Sequence, residues 1–288
     1  MKRNFLARLN RNGIYYISGG LLLLIGVPLY QFLALIPQGY NTVLPLASGG
    51  QFGAYLLWIG GHAAQYAGYR LLQMLAFALL LSLPFTLFRI IVAQEVLGRE
   101  EDAEAEKQPQ ARDGELGEDE ESENADHDTA TQDGMPEFAW RGKGFAVLAA
   151  WGGLLGIIFF LIGTLASTLY TVVVATGVTA TTPPPASFPV LAGTFAITAN
   201  TVGGGLLAIA SLFFGAMIAR SGLKLWPGIW VAFGYVALAL AALFSGSAVG
   251  VASAPTAGQA PLTTPAFLLF AAWVLWFGVM LVRLKPEP

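Results

Sequence analysis

The sequence predicts an all-α polytopic membrane protein with about six transmembrane helices and a disordered acidic cytoplasmic linker. Three observations support this prediction: an apolar composition, long stretches without charge, and basic residues at alternate boundaries between those stretches. Of the 288 residues, 55% are hydrophobic and 11% are charged, and the mean hydropathy is +0.62. Soluble domains carry about 25% charged residues. Water is therefore not the solvent for most of this chain's surface.

Six apolar stretches are long enough to cross a bilayer. Lys, Arg, Asp and Glu are absent from residues 12–69, 144–219 and 225–282. A transmembrane helix needs roughly 20 consecutive apolar residues, because the hydrocarbon core is about 30 Å thick. Runs of that kind, bounded by charges, Gly/Pro clusters or aromatic residues, predict spans at residues 13–36, 71–88, 146–170, 191–218, 226–245 and 265–282.

Basic residues at every second boundary predict the orientation. The connections 37–66, 171–190 and 246–264 are nearly free of charge. Since Lys and Arg are retained on the cytoplasmic side, the opposite ends face the cytoplasm. This bias predicts a multi-pass protein of the cell membrane with both termini cytoplasmic. The residues that carry it are Lys2, Arg3, Arg8, Arg11, Arg89, Arg99, Arg141, Lys143, Arg220, Lys224, Arg283 and Lys285.

An alternative count makes residues 43–63 a seventh span, because that stretch is also uncharged and contains Tyr55-Leu56-Leu57-Trp58-Ile59. Seven spans would place the basic N-terminus and the segment between Arg89 and Arg141 on opposite sides of the membrane, against the basic-residue rule. We therefore interpret this stretch as an interfacial or re-entrant segment.

The chain divides at an acidic segment. Residues 100–137 contain 16 acidic residues and only two basic ones, and they include almost no aliphatic or aromatic side chains. Such a segment cannot bury enough apolar surface to offset the entropy of ordering. We predict an N-terminal transmembrane hairpin with an outer interfacial segment at 1–98, a disordered cytoplasmic linker at 99–140, and a four-helix transmembrane region at 141–288.

Small residues at helical spacing in the third and fourth spans predict close helix packing. In lipid, a ridge of small side chains lets two helix backbones approach and is a main source of association. Chance placement in a Gly-rich chain is the alternative. We expect the two ridges to face each other, with Leu206, Phe213 and Phe214 on more exposed faces. The ridges comprise Gly152, Gly156 and Gly163, and Gly204, Ala208, Ser211 and Gly215.

Five polar or aromatic residues are candidates for contact with a ligand or a partner. Tyr55, His62 and Tyr66 belong to an aromatic stripe at steps of three, four and seven residues. An aromatic belt at the headgroup level explains the stripe, and a ligand cleft that includes Arg70 is the alternative. For Arg70 itself, an anchor at the membrane interface is favoured. Asn200 precedes three glycines, and a hydrogen bond to a neighbouring helix is favoured over carbonyls exposed to an ion.

The sequence offers little for catalysis. The absence of cysteine excludes disulfides and thiolate chemistry, and only two histidines are present. We expect no catalytic residue, metal site or cofactor. The predicted function is that of a non-enzymatic accessory or interaction component that acts through helix packing. A channel or facilitative permease for a small neutral solute is the alternative. The expected partners are the lipid bilayer and other membrane subunits or further copies of the chain, not nucleic acid.

Reporter fusions test the predicted topology. Fusions at residues 4, 120, 222 and 287 should report a cytoplasmic location, and fusions at residues 45, 182 and 255 should report the outer side. The physical reason is the retention of Lys and Arg on the cytoplasmic side. If residue 120 lies outside while the N-terminus lies inside, seven spans are correct instead of six.

Overall fold

The computed structural model describes residues 3–94 and 137–284, and within these residues the regular structure is entirely helical. Six helices there are long and apolar enough to cross a membrane, as the sequence predicts. The predicted disorder of the acidic linker lies outside the described residues, except that residues 137–140 form the start of a helix. The six spans are Ala7–Gln38, Ala63–Gln94, Gly144–Gly177, Phe188–Leu223, Gly228–Ser253 and Thr263–Val282.

Several of these spans are assembled from shorter helical pieces. π-helical segments interrupt the first span at Leu22–Gly26 and Gln31–Leu35, and the fourth span at Ile197–Gly203. The α-helices whose bounds the structure gives are Arg3–Leu21, Val27–Tyr30, Tyr40–Ser48, Phe52–Gly61, Ala63–Ala78, Glu137–Gly177, Phe188–Ala196, Gly204–Leu225, Gly228–Ser253 and Thr263–Val282.

The second span begins at Ala63, eight residues before the predicted start at residue 71. The sequence-based limit was set by the charge of Arg70. The structure instead continues the helix through Arg70, which places this residue inside the span. The same span bends ahead of Pro84, where the backbone N–H groups of Leu80 and Leu83 bond to carbonyls three residues earlier. A proline has no N–H and its ring clashes with the preceding turn, which accounts for the bend.

The stretch that could have been a seventh span forms two short helices, Tyr40–Ser48 and Phe52–Gly61. At 1.5 Å per residue, each is about 15 Å long, roughly half the thickness of a hydrocarbon core. They pack over one end of the bundle, where Phe52 meets Phe188 with ring centroids 5.2 Å apart. We call this the capped end. It also holds residues 178–187 and 254–262, and the opposite, basic end holds Arg8, Arg89 and Arg283.

The first, second and last spans meet near the basic end. The hydroxyl of the buried Tyr16 lies 2.7 Å from Thr86 Oγ1 and 2.9 Å from Ser82 Oγ. The Nδ2 group of Asn12 donates to Thr86 Oγ1 at 3.0 Å. Close to these bonds, a Cβ atom on Gly13 would lie 2.9 Å from a methyl group of Val282. The N-terminal hairpin and the four-helix region therefore share one core.

The predicted glycine ridge of the third span does face the fourth span. A Cβ on Gly156 would lie 2.9 Å from the carbonyl oxygen of Gly203, and a Cβ on Gly163 would lie 2.7 Å from the backbone nitrogen of Ala199. A Cβ on Gly152 would meet only ordinary contact, at 3.6 Å. The fourth span thus presents Gly203 and Ala199 to the third, and neither residue belongs to the ridge predicted for this contact.

The predicted fourth-span ridge packs on the fifth span instead. A Cβ on Gly215 would lie 2.7 Å from the carbonyl oxygen of Gly234, and the atom nearest to a Cβ on Gly204 belongs to Phe244. Ala208 and Ser211, on the same ridge, are buried. The expectation that this ridge faces the third span was wrong, because small-residue spacing identifies a packed face but not the neighbour that covers it. Phe214, expected to be exposed, is buried as well.

Two glycines of the fourth span allow a matched test of this packing. Gly215→Leu should lower the free energy of unfolding by about 1 to 3 kcal/mol, because the new side chain forces the fourth and fifth spans apart. Gly205→Leu makes the same chemical change where a Cβ meets no atom within 4 Å. Thermal unfolding in detergent measures both variants. Equal melting temperatures for the two would contradict the contact.

Candidate ligand-binding cavity

A cavity of about 450 Å³ lies in the half of the bundle nearest the capped end. Ligand sites in proteins typically have volumes of about 300 to 1,000 Å³. Its walls come from the first, second, third, fourth and sixth spans, the two short helices and the loop at 255–259. A site of this size can enclose a small organic molecule or part of a lipid.

Three aromatic rings from three spans form the inner boundary of the cavity. Phe77 lies 4.1 Å from Phe160 and 5.7 Å from Phe267, and Phe160 lies 5.2 Å from Phe267, measured between ring centroids. All three residues line the cavity, and Phe77 and Phe160 also belong to the main hydrophobic core of the bundle. We call these rings the aromatic floor. Below it, towards the basic end, the spans pack closely.

The second span supplies the polar side chains on one wall of the cavity. Tyr69 and Arg70 lie three and four residues after Tyr66, and four and three residues before Gln73, so the four side chains share one face of the helix. The Nη1 group of Arg70 donates to Gln73 Oε1 at 3.0 Å, and Gln73 Nε2 donates to the hydroxyl of Tyr69 at 3.1 Å. Tyr69 in turn donates to Gln31 Oε1 at 3.4 Å. This chain of hydrogen bonds links the first and second spans.

The short helices add two tyrosines to the same wall. The hydroxyl of Tyr55 donates to that of Tyr66 at 3.3 Å, and the two rings are nearly perpendicular. Tyr40 lines the cavity and packs on Trp58 with ring centroids 5.1 Å apart. Loss of solvation on burial raises the pKa of both Tyr40 and Tyr55. Their hydroxyls therefore stay protonated around neutral pH and can donate hydrogen bonds.

Arg70 carries the only formal charge among the residues that line the cavity. Its Nε atom is buried and has no hydrogen-bond partner among the described residues. Asp and Glu are absent from residues 1–94 and 138–286. Arg70 is therefore a cavity-lining cation without a carboxylate partner in the described part of the chain. The role of Arg70 as an anchor at the membrane interface stays a prediction.

Asn200 lies in the π-helical segment of the fourth span and also lines the cavity. Its Nδ2 group donates to the carbonyl oxygen of Gly258 at 3.1 Å, and Thr201 Oγ1 donates to the carbonyl oxygen of Ala248 at 3.1 Å. The hydrogen bond from Asn200 reaches a loop instead of a neighbouring helix. Gly258 has φ = +70°, a conformation that favours glycine. Asn200 thus ties the cavity wall to the loop that covers it.

His62 is the one predicted contact residue that does not line the cavity. Its ring stacks on Trp58 with centroids 4.6 Å apart, and its Nδ1 atom lies 2.8 Å from the carbonyl oxygen of Trp58. The aromatic stripe assumes one continuous helix. The structure ends one helix at Gly61 and begins the next at Ala63, so the break turns His62 away. The other four candidates, Tyr55, Tyr66, Arg70 and Asn200, meet around one space.

Sequence reasoning missed several polar residues of the cavity. Gln73 follows Arg70 by three residues, and Gln31 lies within an otherwise apolar span, so both carried a detectable signal. Thr164 lines the cavity from the third span, but threonine is too common in membrane helices to be singled out. Comparisons with models of protein families, with curated proteins and with solved structures found no match. The cavity must therefore be interpreted from its own chemistry.

Replacement of Asn200 tests its role in holding the loop. Asn200→Ala should cost about 1 kcal/mol of stability and leave the carbonyl group of Gly258 without its partner. Amides of residues 254–262 should then exchange faster with deuterium. Thr198→Ala is the control, because Thr198 bonds only to the Thr194 carbonyl of its own helix. If the amides of residues 254–262 exchange at the same rate in both variants, the hydrogen bond of Asn200 does not hold the loop.

Proposed function

We propose that this protein is a non-enzymatic multi-pass protein of the cell membrane that binds a small molecule in the cavity at its capped end. The observation that supports this most strongly is the convergence of Arg70, Tyr55, Tyr66 and Asn200 on one space of about 450 Å³. These residues come from separate elements: a short helix, the second span and the fourth span. Polar groups that converge on one space beside apolar and aromatic side chains are typical of ligand sites.

In the orientation that the basic residues favour, this cavity lies on the outer side. Basic residues stand at the end opposite the cavity, and the capped end is nearly free of charge. By the basic-residue rule, the basic end faces the cytoplasm, together with both termini and the acidic linker. The cavity then receives its ligand from the outer aqueous phase or from the outer leaflet.

A facilitative permease is the second candidate, and the π-helical segments favour it. The first and fourth spans both change their hydrogen-bond register where they border the cavity, at Gln31–Leu35 and Ile197–Gly203. Single-turn π segments are frequent at functional sites. Passage through the protein would require the aromatic floor to separate. A role as an accessory component, which acts on other membrane subunits or further copies through helix packing, stays a prediction.

Access of thiol reagents to Ser167 tests the location and openness of the cavity. The natural chain has no cysteine, so a single Ser167→Cys substitution introduces the only thiol. A small membrane-impermeant thiosulfonate added to the outer side of intact cells should label this variant, because Ser167 lines the cavity. Mass spectrometry of the purified protein measures the labelled fraction.

The control is Ala216→Cys, at a position of the fourth span that is exposed on the bundle surface and does not line the cavity. Embedded in lipid, this position should resist the reagent. Resistance of Ser167→Cys to outside reagent, with labelling only after the membrane is opened, would contradict the proposed orientation. No labelling of Ser167→Cys from either side would contradict an accessible cavity.

A further inference from the structure

We infer that the ligand of this cavity is an amphipathic anion whose one negatively charged oxyanion group, a carboxylate or a phosphodiester, pairs with Arg70. This inference rests on the proposed function and adds the chemical class of the ligand. Its evidence is the uncompensated charge of Arg70, the hydrogen-bond donors next to it, and the apolar remainder of the lining.

The charge of Arg70 excludes most other ligand classes. A guanidinium group stays protonated, and a charge held away from bulk water is costly unless it is paired. In the described residues this group makes one hydrogen bond, to a neutral amide, and its buried Nε donor is unused. A cationic ligand would be repelled, and a neutral ligand would leave the charge unpaired. An oxyanion supplies both the missing charge and the missing acceptors.

The arrangement fits a group with one negative charge. Only one cationic side chain lines the cavity, so one negative charge balances it. The planar fork of arginine matches the two oxygens of a carboxylate. Tyr66 stands four residues before Arg70 on the same helix face, and its hydroxyl already accepts a hydrogen bond from Tyr55. The proton of the Tyr66 hydroxyl therefore remains for a second contact with the bound anion.

The remaining lining fits an apolar body. Leu23, Val27 and Phe77 supply hydrocarbon and ring surface to the lining, next to the hydroxyl groups of Thr164 and Thr263. A molecule with its charged group at Arg70 and an apolar part against these side chains would satisfy both regions. Such chemistry has two sources: a free organic acid from the aqueous phase and an anionic lipid of the outer leaflet.

The sign of the field in the cavity can be measured without knowing the ligand. Ser167→Cys should react faster with an anionic thiosulfonate than with a cationic one of similar size. Thr181→Cys, in an exposed loop at the capped end, corrects for the intrinsic reactivity of the two reagents. The corrected ratio of the anionic to the cationic labelling rate at Ser167→Cys should be about ten, because Arg70 attracts the anion and repels the cation.

Variants of Arg70 test whether its guanidinium group causes this preference for the anionic reagent. Adding Arg70→Gln should abolish the preference, and Arg70→Lys should retain most of it because the charge is kept. A corrected ratio near one in the parent Ser167→Cys protein would overturn the inference, and this measurement does not depend on whether an Arg70 variant folds. The proposed function would survive that result, because a labelled thiol still shows an accessible cavity.

Protection experiments then identify the source of the anion. Hexanoate and octanoate should slow labelling of Ser167→Cys more than hexanamide and octanamide do, and Arg70→Gln should weaken the carboxylates by about 10- to 100-fold. If phosphatidylglycerol in nanodiscs protects the thiol in an Arg70-dependent manner and the free acids do not, the anion is a lipid headgroup. Equal protection by acids and amides, together with no effect of phosphatidylglycerol over phosphatidylcholine, would overturn the inference.

Discussion

In hydrocarbon, every backbone N–H and C=O group needs a partner within the protein, and the architecture of this chain follows from that constraint. Six helices satisfy it over most of their length. Three departures from regular helix are informative because of where they lie. The π-helical segments at Gln31–Leu35 and Ile197–Gly203 border the cavity, and the bend ahead of Pro84 lies where the second span meets Tyr16. At the bend, the backbone N–H of Leu83 donates to the carbonyl oxygen of Leu80, which the missing N–H of Pro84 would otherwise leave without a partner.

Close packing and the cavity are two results of the same helix geometry. At Gly156 and Gly215 the absence of a side chain lets backbones touch, so the spans converge below the aromatic floor. Above the floor, the third and fourth spans still touch at Gly163, and the cavity lies between them, the first, second and sixth spans and the short helix Phe52–Gly61. The space left between them is enclosed by side chains instead of being filled by them. Helix contacts at one end therefore position the walls of the site at the other.

Arg70 connects this geometry with the proposed chemistry. A cation that is partly removed from water is unfavourable unless an anion accompanies it, and Arg70 is half-buried, with its Nε atom fully buried. The described chain supplies amide and hydroxyl groups around Arg70, which solvate the charge in part, and no carboxylate. An arginine in that situation carries a cost in stability, and an anionic ligand would offset this cost on binding. The same reasoning explains why Arg70 can be tolerated on the side of the membrane where basic residues are otherwise absent.

The sequence by itself determined the number of spans and the separation of basic from uncharged connections, because apolar length and charge are properties of short segments that do not depend on their neighbours. It also identified Gly156 and Gly163 as packing positions, and Tyr55, Tyr66, Arg70 and Asn200 as candidate contacts. Only the tertiary structure decided that Gly215 faces the fifth span, that His62 turns away at a helix break, and that Arg70 lines a cavity. Those outcomes depend on which helices become neighbours and on where a helix breaks. Periodicity within one segment does not encode either of these, because they are set by the packing of all six spans together.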